Sequence, residues 1–313
     1  MKVTLDLKQL QNEGKITQSE HARLASLGRE DTGSLLVNLM IGFSVMAVAG
    51  GIFLLVPSAV IIMALGAVLM AVGLALVVRG STAWVLVANI CILVATLLIA
   101  AAIMLLAASS NHHLPFYAAS LMVAALLAVC SIPARSGLLA SLTVLALFAA
   151  LGGVAAYTTG YYELMVMQPL LTVLLFSLLA LGAHLTSRKL AWTWSRLLVI
   201  VARTALLLVN LGFWVGSLWG DALNWLPGTT VRIPGAVFAL TWAAGLITVG
   251  VWAGRTDRRW VLNLAAVFGG IHFYTQWFER LGATPMTVLV AGLVMLGFAF
   301  FLWRVNSGRH AVR

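Results

Sequence analysis

Ten apolar runs dominate the chain, each close to the roughly 20 residues an α-helix needs to cross a hydrocarbon core. They cover 34–55, 58–78, 84–107, 115–133, 137–157, 165–186, 195–218, 234–253, 260–278 and 284–303. Continuous runs of this length leave few folding options. In lipid, a helix satisfies every backbone N–H and C=O within its own segment. Of 313 residues, 62% are hydrophobic and 9% charged, against about 25% charged in an ordinary soluble domain. The expectation is an all-α polytopic membrane protein: a ten-span transmembrane domain over 34–303, a short cytoplasmic helical segment over 1–33 and a cytoplasmic tail over 304–313. Its first partner is the lipid bilayer.

The net charge of +10 does not indicate nucleic acid, because the basic residues occupy short connections between apolar runs. There they set orientation. With the N-terminus inside, 16 of the 19 Lys and Arg residues fall on the inner side; Arg232 and Arg280 fall outside and Arg203 lies within a span. An even number of spans then places both termini in the cytoplasm. Pro57, Pro115, Pro169, Pro234 and Pro285 each stand near the outer start of an even-numbered span, where proline's missing N–H costs nothing. The pattern predicts five helical hairpins, each turned outside by a Pro-headed return helix. The 219–233 connection is long enough for a small periplasmic structure. The first apolar run follows more than thirty polar residues, so no cleavable leader is expected.

Two stretches are written twice. VLALFAALGGVAAYT (144–158) and VLNLAAVFGGIHFYT (261–275) agree at eight of fifteen positions. Tyr161-Tyr162-Glu163 then matches Trp277-Phe278-Glu279, Pro169 matches Pro285, and TVLLFSLLALG (172–182) matches TVLVAGLVMLG (287–297), with a one-residue gap. The copies are separated by four spans and run the same way, as a parallel repeat. In both, the pattern reads as helix, short turn and returning helix. The Gly50-Gly51, Gly152-Gly153 and Gly269-Gly270 doublets read as points of close helix packing.

The first segment predicts a short helix bearing Leu5, Leu7 and Leu10 that ends at Gly14. A second helix opens at Thr17 and Glu20, which have capping-box spacing. The string LKQLQNEGKITQSEHARL over 7–24, followed by paired apolar helices with Gly-rich centres, resembles the start of the DUF2157 family of bacterial membrane proteins. The Tyr161-Tyr162-Glu163 step and the helix after it look like a motif of the related DUF4401 proteins. The membrane part is similar in layout more than in letters. The resemblance implies a bacterial inner-membrane protein; it implies no particular chemistry, and no site residues carry over from it.

Arg203 is the most unusual polar position. It lies about seven residues into its run, roughly 10 Å at 1.5 Å per residue, on the heptad series Arg196, Arg203, Asn210, Ser217 that marks one helix face. An intramembrane charge is a functional hypothesis by default. Two readings stand open. Arg203 faces a cavity and attracts an anionic group, or it snorkels to the inner headgroups. In the ninth run His272, Gln276 and Glu279 share a face and climb toward the outer surface, as a proton relay or a two-ligand metal contact, or as part of an interfacial belt with Tyr274, Trp277 and Phe278. The candidate ligand-binding set is therefore Arg203, Asn210, His272, Gln276 and Glu279.

No HExxH, paired intramembrane aspartates or phosphate-binding loop with Lys is present, so no catalytic residues, cofactor or metal ligands are assigned and an enzyme is the less favoured class. Cys91 and Cys130 lie inside apolar runs without redox or zinc spacing. Two functions remain: transporter-like or lipid and small-anion handling near Arg203, or a membrane scaffold or sensor whose N-terminal hairpin binds a protein partner.

Overall fold

The computed structural model describes residues 11, 14–21, 44, 47–48, 50–51, 55, 58–79, 84–109, 114–158, 161–226, 229–256 and 259–307. The chain forms two compact units, Met1–Leu105 and Leu106–Arg313. The described helices are α1 (Ala59–Val78), α2 (Val85–Ala108), α3 (Phe116–Ala134), α4 (Gly137–Ala150), α5 (Pro169–Ser187), α6 (Trp192–Trp219), α7 (Gly235–Arg255), α8 (Arg259–Leu281) and α9 (Pro285–Ser307). Among the described residues six helices, α1, α2, α3, α5, α6 and α7, are long and apolar enough to cross a membrane. Their outward faces stay apolar: Val78 is 85%, Leu178 70% and Leu240 72% exposed. Such a surface belongs in lipid rather than water, and the chain is a helical membrane protein. Most of the 34–55 run, including Asn38, lies outside the described residues, as do Pro57 and most of 1–33.

In the first unit the N-terminal segment carries the expected cap. Gly14 adopts φ 68°, where a residue without Cβ is unstrained. Thr17 N–H donates to Glu20 Oε2 at 2.8 Å, and Glu20 N–H donates to Thr17 Oγ1 at 3.3 Å. Farther along, α1 lies close against α2. Ala88, Ala95 and Ala102 of α2 are fully buried at heptad spacing. Opposite them, a Cβ on Gly66 would lie 3.1 Å from Ala95 O, and one on Gly73 would lie 3.2 Å from Ala88 O. Small residues on both helices let the two backbones approach.

The second unit has a basic end, with Arg135, Arg188, Lys189 and Arg255 at its helix junctions, and a strand end. At the basic end α3 joins α4 through 135–136, α5 joins α6 through 188–191, and α7 joins α8 through 256–258. These three pairs make the most extensive helix contacts. This corrects the expected hairpin plan. Pro115 and Pro234 do sit at N-caps, and Pro169 and Pro285 begin their helices, but in α3, α5 and α7 each Pro-headed helix pairs mainly with the helix after it. Connections of a few residues hold successive helices antiparallel and adjacent, whereas at the other end strands separate α4 from α5 and α6 from α7.

Those strands are the second correction. The 137–157 run does not stay helical. α4 stops at Ala150, about 21 Å long at 1.5 Å per residue, and Leu151 and Gly152 N–H close onto Phe148 O and Ala149 O. Gly152 takes φ 80°, and a Cβ on Gly153 would run into the Phe148 ring. The chain continues as β1 (Gly153–Thr158), paired antiparallel with β2 (Tyr161–Val166) from Gly153↔Val166 to Thr158↔Tyr161. The sixth run therefore becomes helical at Pro169 rather than 165. The 219–233 connection folds as β3 (Asp221–Leu226) against β4 (Thr229–Ile233), with Asp221 opposite Ile233.

The two similar stretches thus have different backbones. In the second copy α8 runs unbroken through Gly269-Gly270 to Leu281, and the turn waits for Gly282, at φ 71°. The doublets are not alike in packing. A Cβ on Gly50, Gly51 or Gly269 would meet nothing within 4 Å among the described residues, whereas one on Gly270 would lie 3.1 Å from the Met295 methyl of α9 and one on Gly152 2.9 Å from Met167 Sδ.

The core of this unit lies among α4, α5 and α6. Phe148 and Phe176 meet edge to face at 6.1 Å, surrounded by Val144, Val173, Ala205 and Leu208. Gly212 lets α6 settle onto α5, where an added Cβ would lie 3.0 Å from Val173 and 3.3 Å from Pro169 O. The start of α5 is capped from a distance: Asp221 Oδ2 accepts from Leu170 N–H at 2.8 Å.

Candidate functional site: a polar seam on α6, α7 and α8

α6 places its polar residues by helical period. Residues seven apart return to nearly one face, and on that face the structure finds α7 and α8. Asn210 Nδ2 donates to Leu206 O at 2.8 Å within its own helix, while its Oδ1 accepts from Trp242 Nε1 of α7 at 2.9 Å. Trp242 is 2% exposed, so its indole N–H requires this partner. The His272 ring of α8 stands edge-on to Trp242 at 4.9 Å. A turn toward the strand end, Trp214 Nε1 donates to Thr275 Oγ1 at 3.0 Å, and Gln276 Nε2 donates to Ser217 Oγ at 3.4 Å. Thr275 and Ser217 pass their own protons to Ile271 O and Trp214 O at 2.7 Å each.

Three of the five candidate residues, Asn210, His272 and Gln276, therefore meet in one seam. Its polar atoms are largely spent on one another. The exception is His272 Nδ1, buried without a hydrogen-bond partner. Such a seam fixes the register of three apolar helices, since sliding any of them would strand a donor in a medium without water.

Arg203 lies farther toward the basic end. Its guanidinium carbon sits 4.6 Å above the Trp260 ring centre, next to the first residue of α8. The side chain is exposed. α6 has 28 residues, about 42 Å, against a hydrocarbon core of about 30 Å. A helix of that length projects from the core or tilts within it, and Arg203 stands at the level of the start of α8. One face of the guanidinium is covered by the indole, a contact worth about 0.5–1 kcal/mol when exposed, while its in-plane N–H groups have no acceptor among the described residues. Glu279 does not join the group; it is exposed near the end of α8, beyond the aromatic stack of Tyr274 on Phe278 at 5.9 Å. Arg196 is likewise exposed.

Sequence reasoning missed Trp242, Trp260 and Thr275, the partners that give Asn210, Arg203 and Trp214 their roles. The available signal was spacing: Trp242 stands in the middle of an apolar run, where an indole N–H must find an acceptor. Among the described residues no three His, Cys, Asp or Glu side chains gather in a metal-binding group. No family model, curated protein or solved structure matches the chain.

Proposed function

We propose that the protein is a non-enzymatic, ten-span inner-membrane protein of the DUF2157 type that binds anionic lipid headgroups at Arg203. The observation that carries the reading is the exposed guanidinium seated on Trp260, with no acidic partner among the described residues. A stacked arginine keeps its planar fork free, and that fork matches a phosphate bidentately. The polar seam serves this site indirectly, by holding α8 so that Trp260 stays beneath Arg203. With the positive-inside bias, the basic end is cytoplasmic, both termini lie inside, and Arg203 meets the inner leaflet. The two repeat copies descend from one segment and have since taken different backbones.

Arg203→Ala tests the reading. Added phosphatidylglycerol is expected to raise the unfolding temperature of the wild-type protein in neutral detergent, and the variant is expected to lose that rise while unfolding normally without lipid. Equal lipid stabilisation of both proteins would refute the site.

A further inference from the structure

We infer that the cleft at the strand end of α5, α6 and α7 holds a zwitterionic headgroup in which a primary ammonium neighbours a phosphate. The cavity measures about 1000 Å³ and is bounded by Met165 and Met167, Val215 and Trp219 of α6, Asp221 of β3 and Arg232 of β4. It lies where α5 and α7 begin and α6 ends. In a membrane protein, helix termini at one end mark the headgroup level.

Asp221 decides the chemistry. It is only 9% exposed. One carboxylate oxygen takes Leu170 N–H at 2.8 Å, and no cation or other donor engages the side chain among the described residues. An ion so deep needs compensation. The N-terminal dipole of α5 supplies part of it. Capping alone does not require the charge, because an asparagine oxygen caps a helix equally well. Asp221 lines the cleft, and its second oxygen, without a partner among the described residues, suits an ammonium that donates a hydrogen bond.

Arg232 sets the other half. It pairs in register with Ala222, one rung along from the Asp221↔Ile233 pair, so it leaves the opposite face of the ribbon. It is exposed and lines the cleft without pairing with Asp221. Residues of opposite charge line one cavity with no ion pair between them among the described residues, as an amine–phosphate dipole lying between them would need. Trp219, Met167 and Met165 are 74%, 66% and 44% exposed and offer an apolar surface for the rest of an amphiphile. A purely anionic headgroup would set its charge against Asp221, and a trimethylated amine has no N–H to donate.

The test is lipid retention by the full-length protein in native mass spectrometry, offering phosphatidylethanolamine or phosphatidylcholine. The ethanolamine lipid is expected to be held about tenfold more tightly, the worth of one charge-assisted hydrogen bond. Asp221→Asn keeps the cap on α5 and should abolish the preference; Arg203→Ala, at the basic end, should leave it intact. Arg232→Gln, at an exposed position, should lower ethanolamine-lipid retention and gives an independent measurement if Asp221→Asn folds poorly. Undiminished retention in either cleft variant, or equal retention of the two lipids, would overturn the inference. Soluble phosphoethanolamine distinguishes the sources: displacement of the lipid at similar concentration assigns the cleft to a free amine-phosphate, and no displacement assigns it to the lipid.

Discussion

The segments 144–182 and 261–297 share their letters at both ends, but their backbones part at the Gly-Gly doublet and rejoin only in the return helices. In one copy the Gly-Gly doublet ends a helix and begins a strand; in the other it passes unnoticed through the middle of α8. Glycine permits a left-handed turn without requiring it, so the decision falls to the residues beyond. The first copy continues Tyr157-Thr158-Thr159-Gly160-Tyr161-Tyr162, with β-forming residues flanking an X-Gly pair suited to a two-residue hairpin loop. The second copy continues Tyr274-Thr275-Gln276-Trp277-Phe278 and lacks that glycine. It also has something for a helix to hold, because Thr275 and Gln276 bond across to Trp214 and Ser217 of α6. The Thr159-Gly160 pair in one stretch and two cross-helix hydrogen bonds in the other accompany the difference between strand and helix.

The largest effect that would break this comparison comes from the glycines. Gly153→Val drives a side chain into the Phe148 ring and should cost about 3 kcal/mol, the upper range for overpacking. The aligned Gly270→Ala meets only the Met295 methyl at 3.1 Å and should shift stability by less than about 1 kcal/mol. The preceding pair is expected to differ in sign. Gly152→Ala places a Cβ at φ 80° and 2.9 Å from Met167 Sδ and should destabilise by about 1–2 kcal/mol. Gly269→Ala, in open space within a helix, should stabilise by about 0.5–1 kcal/mol. Thermal unfolding of the four variants in one detergent measures all of this; the same sign at 152 and 269 would mean the copies share a backbone after all.

A smaller effect separates the return helices. α5 borrows its cap from Asp221, 51 residues away, whereas α9 caps itself: Thr284 Oγ1 accepts from Thr287 N–H at 3.2 Å, and Thr284 N–H donates to Thr287 Oγ1 at 2.9 Å. Asp221→Ala should cost about 1–2 kcal/mol and expose amides of β3 as well as α5 to hydrogen exchange, while Thr284→Ala should cost about 0.5–1 kcal/mol and act on α9 alone. Exchange confined to α5 in the Asp221 variant would show that the cap does not tie the strand to the helix.

Much of this was legible in the chain because membrane helices declare themselves by length. α1, α2, α3 and α7 start and end within about two residues of the apolar runs, inside the usual boundary error. The capping box at Thr17 and the shared face of Asn210 and Ser217 followed from spacing alone. The stop after Ala150 did not, since hydropathy reads Gly152-Gly153 and Gly269-Gly270 alike and carries no trace of a φ angle. Helix partners were hidden for a related reason: runs that are apolar all round, such as α1 and α2, show no face that names a neighbour. Trp260 stayed hidden because an indole at a helix start reads as part of an interfacial belt. Asp221 stayed hidden because an acid just outside a span has no motif; only the folded chain brings it to Leu170.

The smallest effect concerns the one cap that titrates. Thr17 and Glu20 form a local, exposed box like that of Thr284 and Thr287, but one of its members is a carboxylate. The Thr17 backbone N–H, and secondarily its hydroxyl, hold the Glu20 carboxyl below the usual glutamate range. A group whose pKa is lowered in the folded state stabilises that state above its unfolded pKa, and the contribution disappears as pH falls through the lowered value. Acidification should therefore fray the helix that begins at Gln18 and leave the threonine-capped start of α9 untouched. A pH titration followed by NMR at the Thr17 amide should show a midpoint below that of an unstructured glutamate. Glu20→Gln, which still offers an oxygen to the Thr17 N–H, should remove the titration without removing the cap. If the Thr17 amide moved with the same midpoint in Glu20→Gln, another acid would be driving it, and the likeness between the two local boxes would extend to pH as well as geometry.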